Sequence, residues 1–577
     1  MISRRHFTAA LSAAPLLRAA DKKPNVVLIM TDDQGYGDFS LRKNPYVATP
    51  NLDRLAQQSV EFTRFSVSPV CAPTRAALLT GRYPLRTGVH GVTKGRETMR
   101  MNEVTLGNVF QNAGYKTSLV GKWHLGENYP YVPHARGFDE FTGMRLGHWN
   151  WYFDPPLERN GKPEQFRGYI NDVLTSEAIG FVDRNQRDPF FLYLAYNTPH
   201  APYQVEDKYF NRFAGRGLSI EDQTVYGMVA NLDDNIGRLL AHLQRRNLAS
   251  DTIVMFLCDN GPQTDRYNAG LRARKGSVYE GGTRSPLYVR YPAKLKGGRQ
   301  VDRIASHIDV LPTLAELAGV KRPDGPPLDG VSLQPLLAGH SANWPERYIF
   351  THADQQADPT KPYPGAIRSQ QFKMVNGTEL YDLLADPGEK NNIASHNPAE
   401  LAKLNKAYDA WFASTLEGFS PGGPPIPVGH QEENPAHLSP TQAALSGGLR
   451  YFMKFGYSHD FVTGWNPDPQ SPDAMIYRID AVAAGDYEAT VEYRAPQPGS
   501  YIALSAPGAT QGTVTKEAVE MEEIHLPHRA HNGAEAPVVH WGRLRLGQFR
   551  LPQGQSTLQL KVAKVPADIK TIYLKRA

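Results

Sequence analysis

Between positions 23 and about 319, short runs rich in Val, Ile, Leu and Phe alternate with segments of helical period, and this alternation confines the fold to the α/β class. The predicted strands are 25–31, 61–66, 117–121, 190–196, 252–257 and 286–291. Helical periodicity falls at 52–58, 106–112 and 173–185 and over the long stretch 221–246. Nearly continuous apolar strands separated by helices imply a mostly parallel mixed sheet covered by helices on both faces. The helix starts carry their own signals. Thr49-Pro50 sets an N-cap before a proline at the first helical position, and Cys71-Ala72-Pro73 repeats the pattern.

Downstream the pattern changes twice. After a main domain at 21–343, short strands at 347–351 and 366–375 precede one amphipathic helix at 400–416, which reads as a smaller α+β subdomain spanning 344–417. Residues 418–440 are rich in Pro and Gly and read as a linker. From 441 to 577, alternating segments such as 487–493, 501–505, 558–562 and 571–574 are bounded by Gly/Pro turns with no helices between them. That pattern predicts a β-sandwich accessory domain.

Residues 1–20, MISRRHFTAALSAAPLLRAA, read as a targeting peptide: arginines, a short Ala-rich apolar run, then small residues at Ala19 and Ala20. Ser3-Arg4-Arg5-His6-Phe7 resembles the twin-arginine export signal, so the expected partner is that export machinery and the expected location is periplasmic or secreted. The apolar run is shorter than the roughly 20 residues a membrane span needs, and no later segment reaches that length. A formal charge of +5 over 577 residues, with no Lys/Arg-rich block, argues against nucleic-acid binding. The only cysteines are Cys71 and Cys258, so no disulfide framework holds the chain. Alternation points Cys258 away from Asp259, and it reads as a small buried hydrophobe.

Apolar runs end in reactive polar residues at several places. Run 25–31 leads into Asp32-Asp33, 117–121 into Lys122-Trp123-His124, 190–196 through Asn197-Thr198-Pro199 to His200, and 252–257 through Cys258 to Asp259-Asn260. In an open α/β sheet, ligands bind beyond the carboxyl ends of the parallel strands. Strands far apart in sequence therefore bring these side chains to one edge. Asp32, Asp33, Asp259 and Asn260 offer only hard oxygen donors, which suit Ca²⁺ or Mg²⁺, whereas zinc takes His or Cys. Carboxylates packed this closely without a cation would repel one another.

Cys71-Ala72-Pro73-Thr74-Arg75, followed by Thr80-Gly81-Arg82, places a thiol at the start of a helix. With Asp32-Asp33 before it and Gly121-Lys122-Trp123-His124-Leu125-Gly126 after it, the chain from about 23 to 417 resembles the sulfatase family of the alkaline-phosphatase superfamily. Thr74 stands where that family more usually has serine, a change that bears on recognition by the maturation machinery. The resemblance implies an alkaline-phosphatase-like fold and a sulfuric ester hydrolase. It also implies that a formylglycine-generating enzyme oxidises the motif cysteine to formylglycine (3-oxoalanine). The hydrated aldehyde has two hydroxyls: one attacks sulfur, and loss of a proton from the other expels sulfate, a route closed to serine.

By the same resemblance Asp32, Asp33, Asp259, Asn260 and the residue at 71 hold Ca²⁺, in preference to Mg²⁺. Arg75 stabilises the diol, and Lys122 and Lys275 neutralise sulfate oxygens. His200 protonates the leaving oxygen and His124 takes the proton that triggers sulfate release, with those two roles exchangeable. The helix start adds a dipole that favours negative charge.

Specificity is left to the loops. His148-Trp149-Asn150-Trp151-Tyr152-Phe153-Asp154 either stacks on a sugar or aryl ring or packs locally. His352, Asp354 and Arg368 are further rim candidates. The sandwich resembles carbohydrate-associated modules, which favours a sulfated carbohydrate over a small aryl sulfate as partner. Two rivals stand beside this reading: a phosphonate monoester or phosphodiester hydrolase of the same superfamily, and a non-catalytic binder of sulfated glycans. Every nameable catalytic position is filled, which weighs against the binder.

Overall fold

Asn25–Thr31 is buried at every position because it runs between two parallel neighbours, Phe190–Ala195 and Thr252–Cys258, in a sheet covered on both sides. Val26, Leu28 and Met30 enter one core layer and Val27 and Ile29 the other, following the two-residue period of a strand. Each such side chain taken out of water contributes about 1.5–3 kcal/mol. The architecture is that of a computed structural model describing residues 23–577 except 342–343, 354–358, 420, 454–459, 523–526 and 531–537. The targeting peptide expected at 1–20 and the rim candidate Asp354 lie outside the described residues.

The main sheet runs Arg299–Val301, Val60–Ser66, Arg284–Arg290, Thr252–Cys258, Asn25–Thr31, Phe190–Ala195, Lys116–Lys122 and Glu140–Met144. A hairpin, Pro156–Arg159 with Lys162–Gln165, extends the far edge. Arg284–Arg290 is antiparallel to both neighbours, while the central strands are parallel, so the expected mixed and mostly parallel sheet is present. Helices Cys71–Thr80, Leu106–Asn112 and Val310–Ala318 pack on one face. Helices Pro50–Gln57, Ile170–Asn185 and Ile220–Arg245 pack on the other. No helix among the described residues is long and apolar enough to cross a membrane.

A second, antiparallel sheet of Ile349–His352, Gly365–Arg368, Phe372–Val375 and Glu379–Asp382 is backed by the helix Pro398–Thr415. The single strand expected at 366–375 is a hairpin. The Ser369 amide donates to the Phe372 carbonyl and the Phe372 amide to Ser369 Oγ, so one hydroxyl closes a turn that an apolar count overlooks.

The C-terminal part forms two facing sheets. One contains Ala474–Ala481, Gly554–Ala563 and Tyr501–Ala506, the other Gly485–Arg494, Gly542–Leu551 and Asp568–Arg576. Tyr477, Val491, Leu560 and Ile572 meet in one core between them. The segment 418–440 is not simply a linker. Ile426–Val428 pairs with the strand Ala474–Ala481, and Ala436–Leu438 pairs with Asp568–Arg576. Ile426–Val428 lies at a sheet edge, where Pro427 costs no ladder bond, so a Pro-rich composition did not exclude a strand.

This part also grips the main domain. Arg145 pairs with Glu433, Asn128 Nδ2 donates to the His437 carbonyl, and Gln442 donates to Asn128 Oδ1. Arg529–Ala530 adds a short strand to Tyr203–Gln204, just after His200, and His528 stacks on Phe210 with ring centroids 3.9 Å apart. A chain cut after Glu417 is therefore expected to lose solubility or to melt about 5 °C or more below the intact protein. A monodisperse 21–417 fragment melting with the full chain would show that the C-terminal part is dispensable to the fold.

Candidate active site

The carboxyl ends of the central strands meet the start of helix Cys71–Thr80. The ladder does not stop at the strand ends: the Asp259 amide donates to the Thr31 carbonyl, and the Trp123 and His124 amides donate to Met144 and Arg145. These bonds hold the reactive residues on rigid elements. Gly121 is required there, because at its φ of +114° a Cβ would lie 1.9 Å from the Ala195 carbonyl oxygen. Asp33 and His124 both have φ of 63°, a left-handed conformation that costs a non-glycine residue energy and is characteristic of functional sites.

The oxygen-rich cluster is fully buried. Asp32, Asp33, Asp259 and Asn260 are each 0% exposed, as are Arg75 and Lys122. The Asp33 amide donates to Asp259 Oδ1 (3.1 Å), and Asn260 Nδ2 to Asp33 Oδ1 (2.7 Å). Arg75 donates to Asp259 Oδ2 and to the Lys122 carbonyl, both at 3.0 Å, and lies 3.4 Å from Asp32. Lys122 bonds Asp32 Oδ2, and Lys275 Nζ stands 2.7 Å from Asp33 Oδ1.

Ligand atoms of Asp32, Cys71 and Asp259 lie within 4.8 Å of one another, as do those of Asp32, Asp33 and His200. Asp32 Oδ1 and Asn260 Oδ1 are buried with no hydrogen-bond partner among the described residues. Those two unpaired oxygens, in a set of hard donors, fit a Ca²⁺-type cation. Burial and the nearby Asp32 push the Asp259 carboxyl upward, whereas Asp32, which burial alone would raise, is held far below its ordinary value by Lys122. A cation shared by the pair would relieve that repulsion.

Cys71 is 1% exposed at the first position of its helix, and burial raises its thiol pKa. Thr74 Oγ1 donates to the Asp259 carbonyl (2.7 Å) and accepts from the Ser68 amide (3.0 Å). A serine hydroxyl could make the same bonds, so the departure at 74 leaves the tie between helix and strand intact. Gly81 ends the helix at φ +70°, its amide donating to the Ala77 carbonyl. Cys258 is buried on the opposite face of the sheet from Cys71, and both thiols are free.

Tautomers are readable at both histidines. A carbonyl can only accept, so His124 Nε2, 2.8 Å from the Val92 carbonyl, carries a proton. Nδ1 is then the basic nitrogen, and it is buried without a hydrogen-bond partner among the described residues. His200 Nδ1 donates to the Ala201 carbonyl at 2.6 Å, leaving Nε2 3.7 Å from Asp33 Oδ2. Burial, then Lys275, lower the His200 pKa to about 4.

A pocket of about 180 Å³ opens over Cys71, lined by Val92, His148, Gln263, Arg274 and Lys275. His148 follows the strand Glu140–Met144 and packs near both histidines, 5.1 Å from His200 and 5.8 Å from His124 between ring centroids. Sequence reading placed His148 only in an aromatic loop and passed over Gln263 and Arg274. The signal was present, since His148 also follows a strand end, but that strand is short and partly polar.

Tyr152 packs locally, donating toward the carbonyls of Asn197, His200 and Ala201, while Trp149 and Trp151 stay half-buried. Two rim candidates lie elsewhere. Arg368 is buried against Glu280, and His352 is tied to the Lys361 carbonyl. Neither lines the pocket over Cys71, because each is held inside the second sheet or at its junction with the main domain.

The fold and this site define a hydrolase that handles anionic esters, and the chain belongs to the sulfatase family, enzymes that hydrolyse sulfate esters. The sulfatase family model matches residues 24–320, and the model for the C-terminal part of N-sulphoglucosamine sulphohydrolase matches 273–409. The chain is 33% identical to arylsulfatase A of Homo sapiens over 430 residues, covering 67% of this chain and 82% of that protein. N-acetylgalactosamine-6-sulfatase of Homo sapiens is 32% identical over 425 residues, covering 67% and 79%. Among solved structures, Ps i-CgsB in complex with k-i-k-neocarrahexaose superposes with a TM-score of 0.63 at 32% identity, covering 68% of this chain and 93% of that one.

Proposed function

We propose that this chain is an exported, Ca²⁺-dependent sulfatase acting on a sulfated carbohydrate, with Cys71 converted to formylglycine by a maturation enzyme. The observation that carries the reading is the meeting of Asp32, Asp33, Asp259 and Asn260 with Cys71 at a helix start, with two cluster oxygens left unpaired. Formylglycine would supply a hydrated aldehyde whose paired hydroxyls permit both attack and release. Ca²⁺, held by Asp32, Asp33, Asp259 and Asn260, would supply Lewis acidity toward the nucleophile and a sulfate oxygen.

The chain's own residues account for the rest. Arg75, Lys122 and Lys275 balance the three carboxylates, so adding a divalent cation leaves the site positive and receptive to a sulfate ester. Lys275 lines the pocket and is placed to pair with sulfate oxygens as charge moves onto them. His124 Nδ1, unpaired and with its tautomer set by Val92, is suited to accept a proton. His200 is suited to donate from Nε2 once the negative charge of the substrate offsets the burial, Lys275 and Lys122 that depress its pKa. Half-buried Trp149 and Trp151, together with the carbohydrate named for Ps i-CgsB, support a sugar at the rim. The pattern of residues 1–20 supports export to the periplasm or beyond.

Mass spectrometry of the peptide containing Cys71, from protein co-produced with a formylglycine-generating enzyme, tests the central claim. The expected mass is about 18 Da below that of the cysteine peptide, from replacement of thiol by oxo. Active protein carrying an unchanged cysteine would overturn it.

A further inference from the structure

Two buried acids that line a cavity with His124 have no part in the chemistry described so far. Glu97 and Glu127 are 5% exposed each, and one carboxylate oxygen of each, Oε2, is buried with no hydrogen-bond partner among the described residues. They line a small cavity of about 10 Å³ together with His124, His148 and Thr441. That is the room one water needs, and the walls offer it several polar partners. The cavity shares Val92 and His148 with the pocket over Cys71. It shares Glu127 with a cleft of about 220 Å³ between the main and C-terminal domains, whose exposed lining residues Lys94 and Pro424 open it to solvent. The acid pair thus lies between the catalytic pocket and the interdomain cleft, each of which shares lining residues with the cavity the pair lines.

We propose that Glu97 and Glu127 form a carboxyl–carboxylate pair that, through one water in the shared cavity, carries protons away from His124 to the interdomain cleft. The proposal rests on the function argued above, in which each turnover leaves a proton on His124. The imidazolium gives a proton to the water, and the water gives one to the ionised carboxylate. Imidazole, water and carboxylic acid result, and the acid releases its proton into the cleft.

The electrostatics agree with that geometry. Burial pushes Glu97 up to about 7, and burial together with Glu97 pushes Glu127 up to about 8, so the pair shares a proton near neutrality. Burial, then Lys122, hold His124 well below its ordinary value, so an imidazolium formed there gives up its proton readily to acids that titrate near the operating pH. The charged and titratable groups facing the pair are Arg96 beside Glu97, and His437 and Lys570 from the C-terminal domain beside Glu127. Arg145, His148 and His124 complete the titratable lining of the cavity. Ser439, also from the C-terminal domain, hydrogen-bonds Glu127. The C-terminal domain thus supplies part of the wall of a proton path.

Infrared spectroscopy gives a readout independent of turnover. Wild-type protein at pH 7 is expected to show a buried protonated-carboxyl band that is lost in both Glu127→Gln and Glu97→Gln. On an aryl or carbohydrate sulfate, Glu127→Gln is expected to lower kcat about tenfold with KM unchanged, raise the solvent isotope effect on kcat, and respond to added imidazole buffer. Glu97→Gln removes the charge that raises Glu127, so the acidic limb of its kcat profile should move to lower pH. Folded variants with wild-type kcat, isotope effect and pH profile would overturn the relay, as would absence of the carboxyl band. If the band is present but matured wild-type protein cleaves no sulfate ester, the functional reading fails while the acid pair stands.

Discussion

Asp259→Ala is expected to yield a folded protein that binds no calcium and has lost about 10³-fold or more of its activity. Asp259 is the only carboxylate that the strand Thr252–Cys258 delivers to the cluster. Its two oxygens hold the Asp33 amide and the Arg75 guanidinium. Without it, a cation would keep only Asp32, Asp33 and the neutral oxygen of Asn260, and Asp33 is already engaged by Lys275 and by Asn260 Nδ2. Removing one member of a buried ion pair costs about 3–5 kcal/mol of stability. Arg75 keeps the Lys122 carbonyl and lies 3.4 Å from Asp32, so the fold should survive that loss. Elemental analysis should fall from one calcium per chain to none, with near-UV circular dichroism retained. Full activity in a metal-free preparation of either protein would defeat the metal assignment.

What the sequence revealed follows from how strongly each feature is written locally. Asn25–Thr31 is legible to the residue because burial on both faces demands an unbroken apolar run, and the acids that follow break it sharply. The same contrast exposes Asp259-Asn260 and Lys122. It weakens where a strand carries polar residues: Glu140–Met144 was missed, and with it the reason His148 reaches the site. Lys275 sits in a loop with no periodic signal and entered only through the family resemblance. Its contact with Asp33 depends on chain closure across more than 200 positions.

Composition misled in the other direction. The Pro/Gly content of 418–440 suggested a tether, but Ile426–Val428 and Ala436–Leu438 are edge additions whose partners lie far downstream. The hairpin at Pro156–Arg159 and Lys162–Gln165 turns on Asn160-Gly161, both at positive φ, a two-residue turn signal that sequence reading passed over. Glu97 and Glu127 were illegible for a different reason. Nothing local marks a glutamate as buried, and their burial is completed by Ser439 and Thr441, over 300 residues downstream.

Cys71→Ser is expected to stop after one slow turnover with sulfate retained on the protein. The substitution keeps the size of the side chain and leaves a single hydroxyl at the first position of a buried helix. Arg75, Lys122 and Lys275 remain in place around that hydroxyl, so attack on a sulfate ester stays open. Release does not, because His124 Nδ1 finds no second hydroxyl from which to take a proton, and the resulting sulfate ester is stable in water. Intact-protein mass spectrometry after incubation with substrate should show about 80 Da added at position 71, the mass of the transferred sulfuryl group. Cys71→Ala should show neither adduct nor turnover, with a melting temperature within a few degrees of wild type, since it removes one sulfur atom from a site without a hydrogen-bonding role in the helix. Repeated turnover of Cys71→Ser at the wild-type rate would mean that no second hydroxyl is needed, and the formylglycine assignment would have to be abandoned.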